Sequence, residues 1–246
     1  MHNLILHIPH SSTVIPFKDG YCVSDEILNQ EMLKLTDWYT DDLFANKLDY
    51  SVIAPFSRIF CDTERFSDDT QEIMAQFGMG VLYEKTDSGE LLRNVTPELR
   101  KHIVNEYYWK HHNKLTEIVK MQLEKDSKTI IVDCHSFPNI PFNRDLVKTN
   151  KRPDFNIGTD AYHTPQKLVD VSIAFFKSKG YSIGIDQPYA GSIVPSQYYK
   201  SNQKVQSIML EINRNLYLKE PTNEKSDTYL ETKKVVQEFL NVIRNA

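Results

Sequence analysis

Thr129-Ile130-Ile131-Val132-Asp133-Cys134, followed at once by His135-Ser136-Phe137-Pro138, is the stretch on which the reading of this chain turns. A β-branched run with no alternation of polar and apolar residues marks a strand buried on both faces, the pattern of a parallel sheet covered by helices. It stops abruptly in polar side chains. In open α/β sheets ligands gather beyond the carboxyl ends of the strands, so the same stretch indicates the fold and where its chemistry lies.

Outward from it, four further runs read as strands: Asn3–Ile8 (NLILHI), ended by Pro9; Tyr50–Phe56 (YSVIAPF), interrupted by Pro55; Tyr181–Asp186; and Val205–Ile212 (VQSIMLEI). Helices alternate with them. Apolar residues at three- and four-residue steps predict a helix over Ser24–Lys47, with Ser24 as N-cap and Asp25 and Glu26 in its first turn. Thr96-Pro97-Glu98 opens a second helix running to Lys125, Pro165–Lys179 forms a third with Gly180 as its stop, and Asp227–Arg244 closes the chain. VLYEK and ELLR around Thr86-Asp87-Ser88-Gly89 suggest an added hairpin. The expected architecture is one domain over residues 1–246, a three-layer α/β/α sandwich around a mostly parallel, mixed sheet.

Composition narrows the function. At 246 residues with 40% hydrophobic and 25% charged content the chain can bury a substantial core. The formal charge of −4 and the scatter of the 29 basic residues argue against nucleic acid as a partner. No run approaches ~18 consecutive apolar residues, which argues against a membrane span. The opening MHNLILHIPHSS has neither a basic n-region nor a small-residue cleavage site, so the expected location is cytoplasmic. Cys22, Cys61 and Cys134 are too few and too widely spaced for a disulfide framework or a thiolate zinc site. Cys134 adjoins His135, but neighbours on a strand point to opposite faces and cannot pair as nucleophile and base.

Polar clusters follow several strand runs: His7 to Ser12, Asp133 to Ser136, Glu211 to Arg214 and Asp62-Thr63-Glu64-Arg65. His10 and His135 are either histidines bonded within turns or imidazole ligands at the mouth of a cleft, where a divalent metal also needs a carboxylate and an open position. Asp133 lies two residues before His135 on the same strand face, placed either to orient that imidazole or to satisfy backbone donors. Glu211 interrupts an apolar run where an unpaired carboxylate is costly, so it is either salt-bridged to Arg214 or a general base.

The stretches LILHIPHSS (4–12), TDWYTDDLF (36–44), SRIFCDTERF (57–66), VDCHSFP (132–138), RPDFNIGTDAYHTP (152–165), PYAGSIVP (188–195) and MLEINRNLY (209–217) together resemble the N-formylglutamate amidohydrolase family, a branch of the wider zinc carboxypeptidase and aspartoacylase group. The resemblance implies a phosphorylase/hydrolase-like α/β fold and one metal ion, zinc or another divalent cation, held by His10 and His135. It makes Glu211 the general base and Arg65 the group that grips the substrate carboxylate by a two-pronged hydrogen bond, with Asn213 and Arg214 beside the substrate. The wider group's H-x-x-E is absent, since His10-Ser11-Ser12-Thr13 stands in its place, and Asp37, or failing that His7, is the expected carboxylate-side substitute. Glu64 occupies the position where the family pattern has asparagine, and its charge beside Arg65 is expected to weaken binding of an anionic substrate. The implied reaction is hydrolysis of the formyl amide of a small N-acylated amino acid, with zinc acidifying water. A carboxypeptidase-like or broader acyl-amino-acid hydrolase, and a non-catalytic carboxylate-binding descendant, are the alternatives.

Overall fold

The computed structural model describes residues 3–149 and 151–246. In chain order the strands are β1 (Ile5–Ile8), β2 (Tyr50–Ile53), β3 (Thr129–Phe137), β4 (Phe155–Gly158), β5 (Ile183–Ile185) and β6 (Val205–Asn213). The α-helices are α1 (Asp25–Leu35), α2 (Thr40–Leu43), α3 (Pro97–Ile103), α4 (Trp109–Lys125), α5 (Gln166–Ser178) and α6 (Tyr229–Arg244). The strands form one six-stranded sheet in the order β2-β1-β3-β6-β4-β5. Every neighbouring pair is parallel except β4 with β6, and that antiparallel junction makes the sheet mixed.

Strand parity sorts the two faces. Leu6 and Ile8 of β1, Val132 and Cys134 of β3, and Leu210 and Ile212 of β6 bury against α6 through Val236, Phe239, Leu240 and Ile243, and against α5 through Leu168 and Phe176. On the other face Ile5, Val52 and Ile131 pack on Leu115 and Val119 of α4. Beyond that patch the same face turns polar. His7, Asp133, His135 and Glu211 all share its parity because side chains alternate along a strand. The sandwich is thus apolar throughout one interface and apolar only at the amino ends of the strands in the other. A polar cleft is left at their carboxyl ends.

The structure departs from the sequence expectation in several places. The helix expected over 24–47 ends at Leu35: the Thr36 amide still bonds Met32, but the next amide, that of Asp37, donates to His10 O at 3.0 Å. Tyr39 then takes a left-handed φ of 61° before α2 begins. Such a conformation costs a non-glycine residue about 1–2 kcal/mol, and the tertiary bond to the His10 loop is part of what offsets it. β3 continues through His135 and Ser136 to Phe137, so both polar residues lie within the strand's last turn of pleat rather than after it. α3 and α4 are joined by a π-helical stretch at Val104–Tyr108. The expected hairpin keeps its turn, with Gly89 at φ 95° and its amide bonded to Thr86 O at 2.9 Å, but its arms meet only through isolated bridges such as Lys85 with Leu91. β4 was not expected at all; its four residues are too short for a periodic signal, and burial against β6 and the stacking of Phe155 on Phe176 define it.

Candidate active site

The β3–β6 register sets His135 directly opposite Glu211, and the β1–β3 register sets His7 opposite Asp133. Because these residues have the same parity, Asp133, His135 and Glu211 rise together into a cavity of about 850 Å³ that also takes in Asp37, Arg58, Arg65 and Tyr189, while His7 is fully buried and stays out of its lining. A cavity of this size accommodates a small molecule of several polar groups.

His10, Asp37 and His135 converge within it. One ligand atom from each lies within 4.8 Å of the others. Asp37 Oδ2 is 3.5 Å from His10 Nδ1 and 3.1 Å from His135 Nδ1. The opposite ring nitrogens are occupied: His10 Nε2–H donates to Asp62 Oδ1 at 2.8 Å and His135 Nε2–H to Asp133 Oδ1 at 3.0 Å. A carboxylate on each Nε2 fixes the tautomer that leaves the Nδ1 lone pair free. His10 Nδ1 is buried without a hydrogen-bond partner, an orphan that a cation satisfies. Two imidazoles and a carboxylate with carboxylate-oriented rings match the donor set of a catalytic zinc site with room for water. The donors fit the metal.

Asp37 is steadied from the other side. Arg214 Nη2 donates to Asp37 Oδ1 at 3.0 Å while Nη1 reaches Lys34 O at 2.5 Å and Nε reaches Ser136 Oγ at 3.2 Å. Burial alone raises a carboxyl pKa, but the facing His10 and His135 imidazoles and the Arg214 charge hold Asp37 far below the usual carboxylate range. Arg214 therefore supports a ligand, with its donors spent on protein, and does not line the cavity. It does not pair with Glu211. Asn213 is likewise committed, donating to Asn139 Oδ1 and Pro153 O and accepting from the Asn215 amide. Neither residue lines the cavity, contrary to the expectation that places both beside a substrate.

Glu211 is 7% exposed, and its Oε2 has no hydrogen-bond partner. Desolvation pushes its pKa up to about 8, opposed by His135 and reinforced by the negative charge of Asp37. A buried carboxylate that is neither salt-bridged nor hydrogen-bonded, at the lip of a ligand trio, has the environment of an acid–base group. The salt bridge to Arg214 that the sequence left open does not form.

Arg65 lines the cavity with Nε buried and unpartnered, 3.6 Å from Asp62 Oδ2. Arg58 binds the same oxygen through Nη2 at 3.0 Å and donates from Nε to Tyr83 Oη at 3.0 Å. Asp62 is thus one carboxylate shared between two guanidinium groups. Glu64, expected to oppose Arg65, pairs instead with His7: its Oε1 is 3.0 Å from His7 Nδ1, which also meets Asp133 Oδ1 at 2.9 Å. Burial draws the His7 pKa down, but the bonds to Asp133 and Glu64 carry it up to about 9. His7 is therefore a cation at neutral pH, neutralising Glu64, and its other nitrogen donates to His111 Nε2 at 2.8 Å. Burial and the His7 charge push the His111 pKa down to about 2, so it accepts as a neutral ring. His7 stands outside the His10–Asp37–His135 trio, in a second cluster with Glu64 and Asp133 whose donor atoms also lie within 4.8 Å of one another.

The sequence singled out neither Arg58 nor Asp62 for a role, although two arginines at i−4 and i+3 around an aspartate were a readable signal. His111 carried none, since a helical histidine is ordinary until its strand partner is known. Cys134, with its thiol pKa raised well above normal by burial and by Asp133, lies in the opposite core beside Val132 and Leu210.

A family model described as N-formylglutamate amidohydrolase matches residues 2–218. The fold is similar to a crystal structure of N-formylglutamate amidohydrolase from Ralstonia eutropha JMP134, with a TM-score of 0.86 and 23% identity over 100% of this chain and 94% of that one. It is also similar to a gene product of Agrobacterium tumefaciens, with a TM-score of 0.67 and 17% identity over 98% of this chain and 92% of the other. No curated protein matches the chain. Among the described residues no helix is long and apolar enough to cross a membrane.

Proposed function

From the chain's membership of the N-formylglutamate amidohydrolase family, shown by the match over residues 2–218, we propose a divalent-metal-dependent hydrolase that releases formate from a small N-formylated amino acid such as N-formylglutamate. The observation that carries the metal reading is the orphaned His10 Nδ1 facing Asp37 and His135 while both rings spend Nε2 on carboxylates. His10, Asp37 and His135 hold the ion, with zinc the best match to the donors. When bound, the cation supplies Lewis acidity toward an amide carbonyl and positive charge that favours the ionised form of Glu211.

The chain's own groups do the rest. Glu211 Oε2, unpartnered and facing the cavity, takes a proton from the attacking water and returns it to the departing amine nitrogen. Arg65 holds the substrate carboxylate, which places the formyl carbon near the trio. Asp133 keeps His135 in its tautomer, and cationic His7 keeps Asp133 in place. The products are formate and a free amino acid, and the proton balance closes on Glu211. We place this activity in the cytoplasm, consistent with three free cysteines of which two are buried.

Zinc-loaded and metal-stripped protein assayed on formyl, acetyl and succinyl amino acids and on dipeptides tests the reading. Formate release from formyl substrates, restored by zinc, supports it. Hydrolysis of dipeptides in preference favours the carboxypeptidase-like alternative, and no zinc uptake favours a non-catalytic descendant.

A further inference from the structure

We infer that Arg144 is a specificity residue that reads a second carboxylate, on the side chain of the substrate, while Arg65 holds the first. The inference rests on the hydrolase reading of the same cavity and adds to it the residue that tells an acidic side chain from a neutral one.

Arg58, Arg65 and Arg144 all line the cavity, and only Arg144 has no carboxylate partner among the described residues. The acids near it are already engaged. The Asp87 carboxylate accepts from the Asn143 amide and Nδ2 through Oδ2 and from the Arg144 amide through Oδ1, at 3.0–3.1 Å. Asp145 is bound by the Arg152 guanidinium and by Tyr189 Oη at 2.9 Å. Arg144 Nε donates to Asp87 O at 3.1 Å, which fixes the plane of the guanidinium and leaves both terminal nitrogens without a protein acceptor.

The turn beneath it is shaped for this. Gly89 is at φ 95°, and a Cβ there would sit 2.0 Å from Arg144 Nη2, so the guanidinium lies directly on the glycine. An arginine in the wall of a cavity, held at its backbone amide and at Nε with no acceptor on its terminal nitrogens, is preorganised to meet a carboxylate. Arg65, with its Nε unpartnered, and Arg144, with no carboxylate partner among the described residues, give one cavity two guanidinium groups that a dianion can engage together. A formyl amino acid with a carboxylate side chain is one; its amide counterpart is not.

The test compares glutamate with glutamine in two assays. Hydrolysis of N-formylglutamate and N-formylglutamine is measured for wild type, Arg144→Gln and Arg144→Lys, and binding of free glutamate and glutamine is measured by calorimetry on the same zinc-loaded proteins. Wild type is expected to prefer the dicarboxylate at least ~10-fold in both assays. Arg144→Gln raises KM for N-formylglutamate ~10–100-fold with little change in kcat and leaves N-formylglutamine unaffected, and Arg144→Lys retains part of the preference. Equal losses on both substrates, or an undiminished preference in Arg144→Gln, overturn the inference. If wild type binds glutamate selectively, Arg144→Gln abolishes that selectivity, and no formyl amide is cleaved, the hydrolase reading fails while the Arg144 subsite stands.

Discussion

His135 and Glu211 are register partners on adjacent parallel strands, one a metal-ligand candidate and the other an unpartnered acid, so a single backbone pairing sets the imidazole beside the carboxylate. Neither residue sits on a loop. Both belong to strands whose remaining residues are almost wholly buried, and that rigidity lets the sheet hold a reacting geometry that a flexible segment would blur.

Arg214 would act on a bound ion through Asp37. Replacing it with methionine leaves the Asp37 carboxylate buried without its cation, which is expected to lower metal affinity ~10–100-fold and to destabilise the protein by about 3–5 kcal/mol. Chelator competition and urea unfolding measure the two effects. Unchanged zinc affinity in a folded Arg214→Met protein removes Arg214 from the metal-holding network.

His7 gives stability a definite pH dependence. Its pKa is about 9 in the folded chain against an ordinary 6.5, so the native state binds the extra proton and stability falls as pH rises. The contribution is fully present below about pH 6.5 and is lost as pH passes through about 9, a change of at most ~3 kcal/mol. Urea unfolding of metal-free wild type and His7→Asn across that window should show their stability difference shrinking toward high pH. Glu64→Asn, which removes one of the two carboxylates holding the proton, moves the upper limb of the curve downward. A difference between wild type and His7→Asn that does not vary with pH contradicts the charge assigned to His7.

Cys134 should be chemically silent. Alkylation of the folded protein is expected to label Cys22, which is exposed, and to spare Cys61 and Cys134, which are buried. Cys134→Ala keeps turnover within a few-fold of wild type, whereas a role for the thiol beside His135 requires its loss. Mass spectrometry of the labelled peptides and a steady-state assay decide the point.

Much of this architecture was legible because it rests on local pattern. The run from Thr129 announced a buried central strand, and Asp133 and His135 could be given one face from their spacing alone. What the pattern did not carry was any choice made by tertiary contact. The break after Leu35, which places Asp37 in the site, arises from a bond to His10 O that no helical periodicity records. Glu211 and Arg214 looked like partners because they are close in sequence. The strand ends at Asn213 and Arg214 opens a short 3-10 turn, and only the fold shows that Arg214 meets a residue 177 positions away. The His7–Glu64 pair was hidden for the same reason, so Glu64 was read against its neighbour Arg65 instead of the strand residue that neutralises it.

The most direct test of the account is the Glu211→Gln protein assayed for zinc content and formate release side by side. The amide keeps the shape of the side chain but cannot take a proton from water at neutral pH, so the account predicts stoichiometric zinc, an unaltered unfolding midpoint and turnover of N-formylglutamate reduced ~10²–10⁴-fold with KM little changed. A zinc-loaded Glu211→Gln protein that turns over at near the wild-type rate would contradict it, because the unpartnered carboxylate at the lip of the trio would then have no part in the proton transfer.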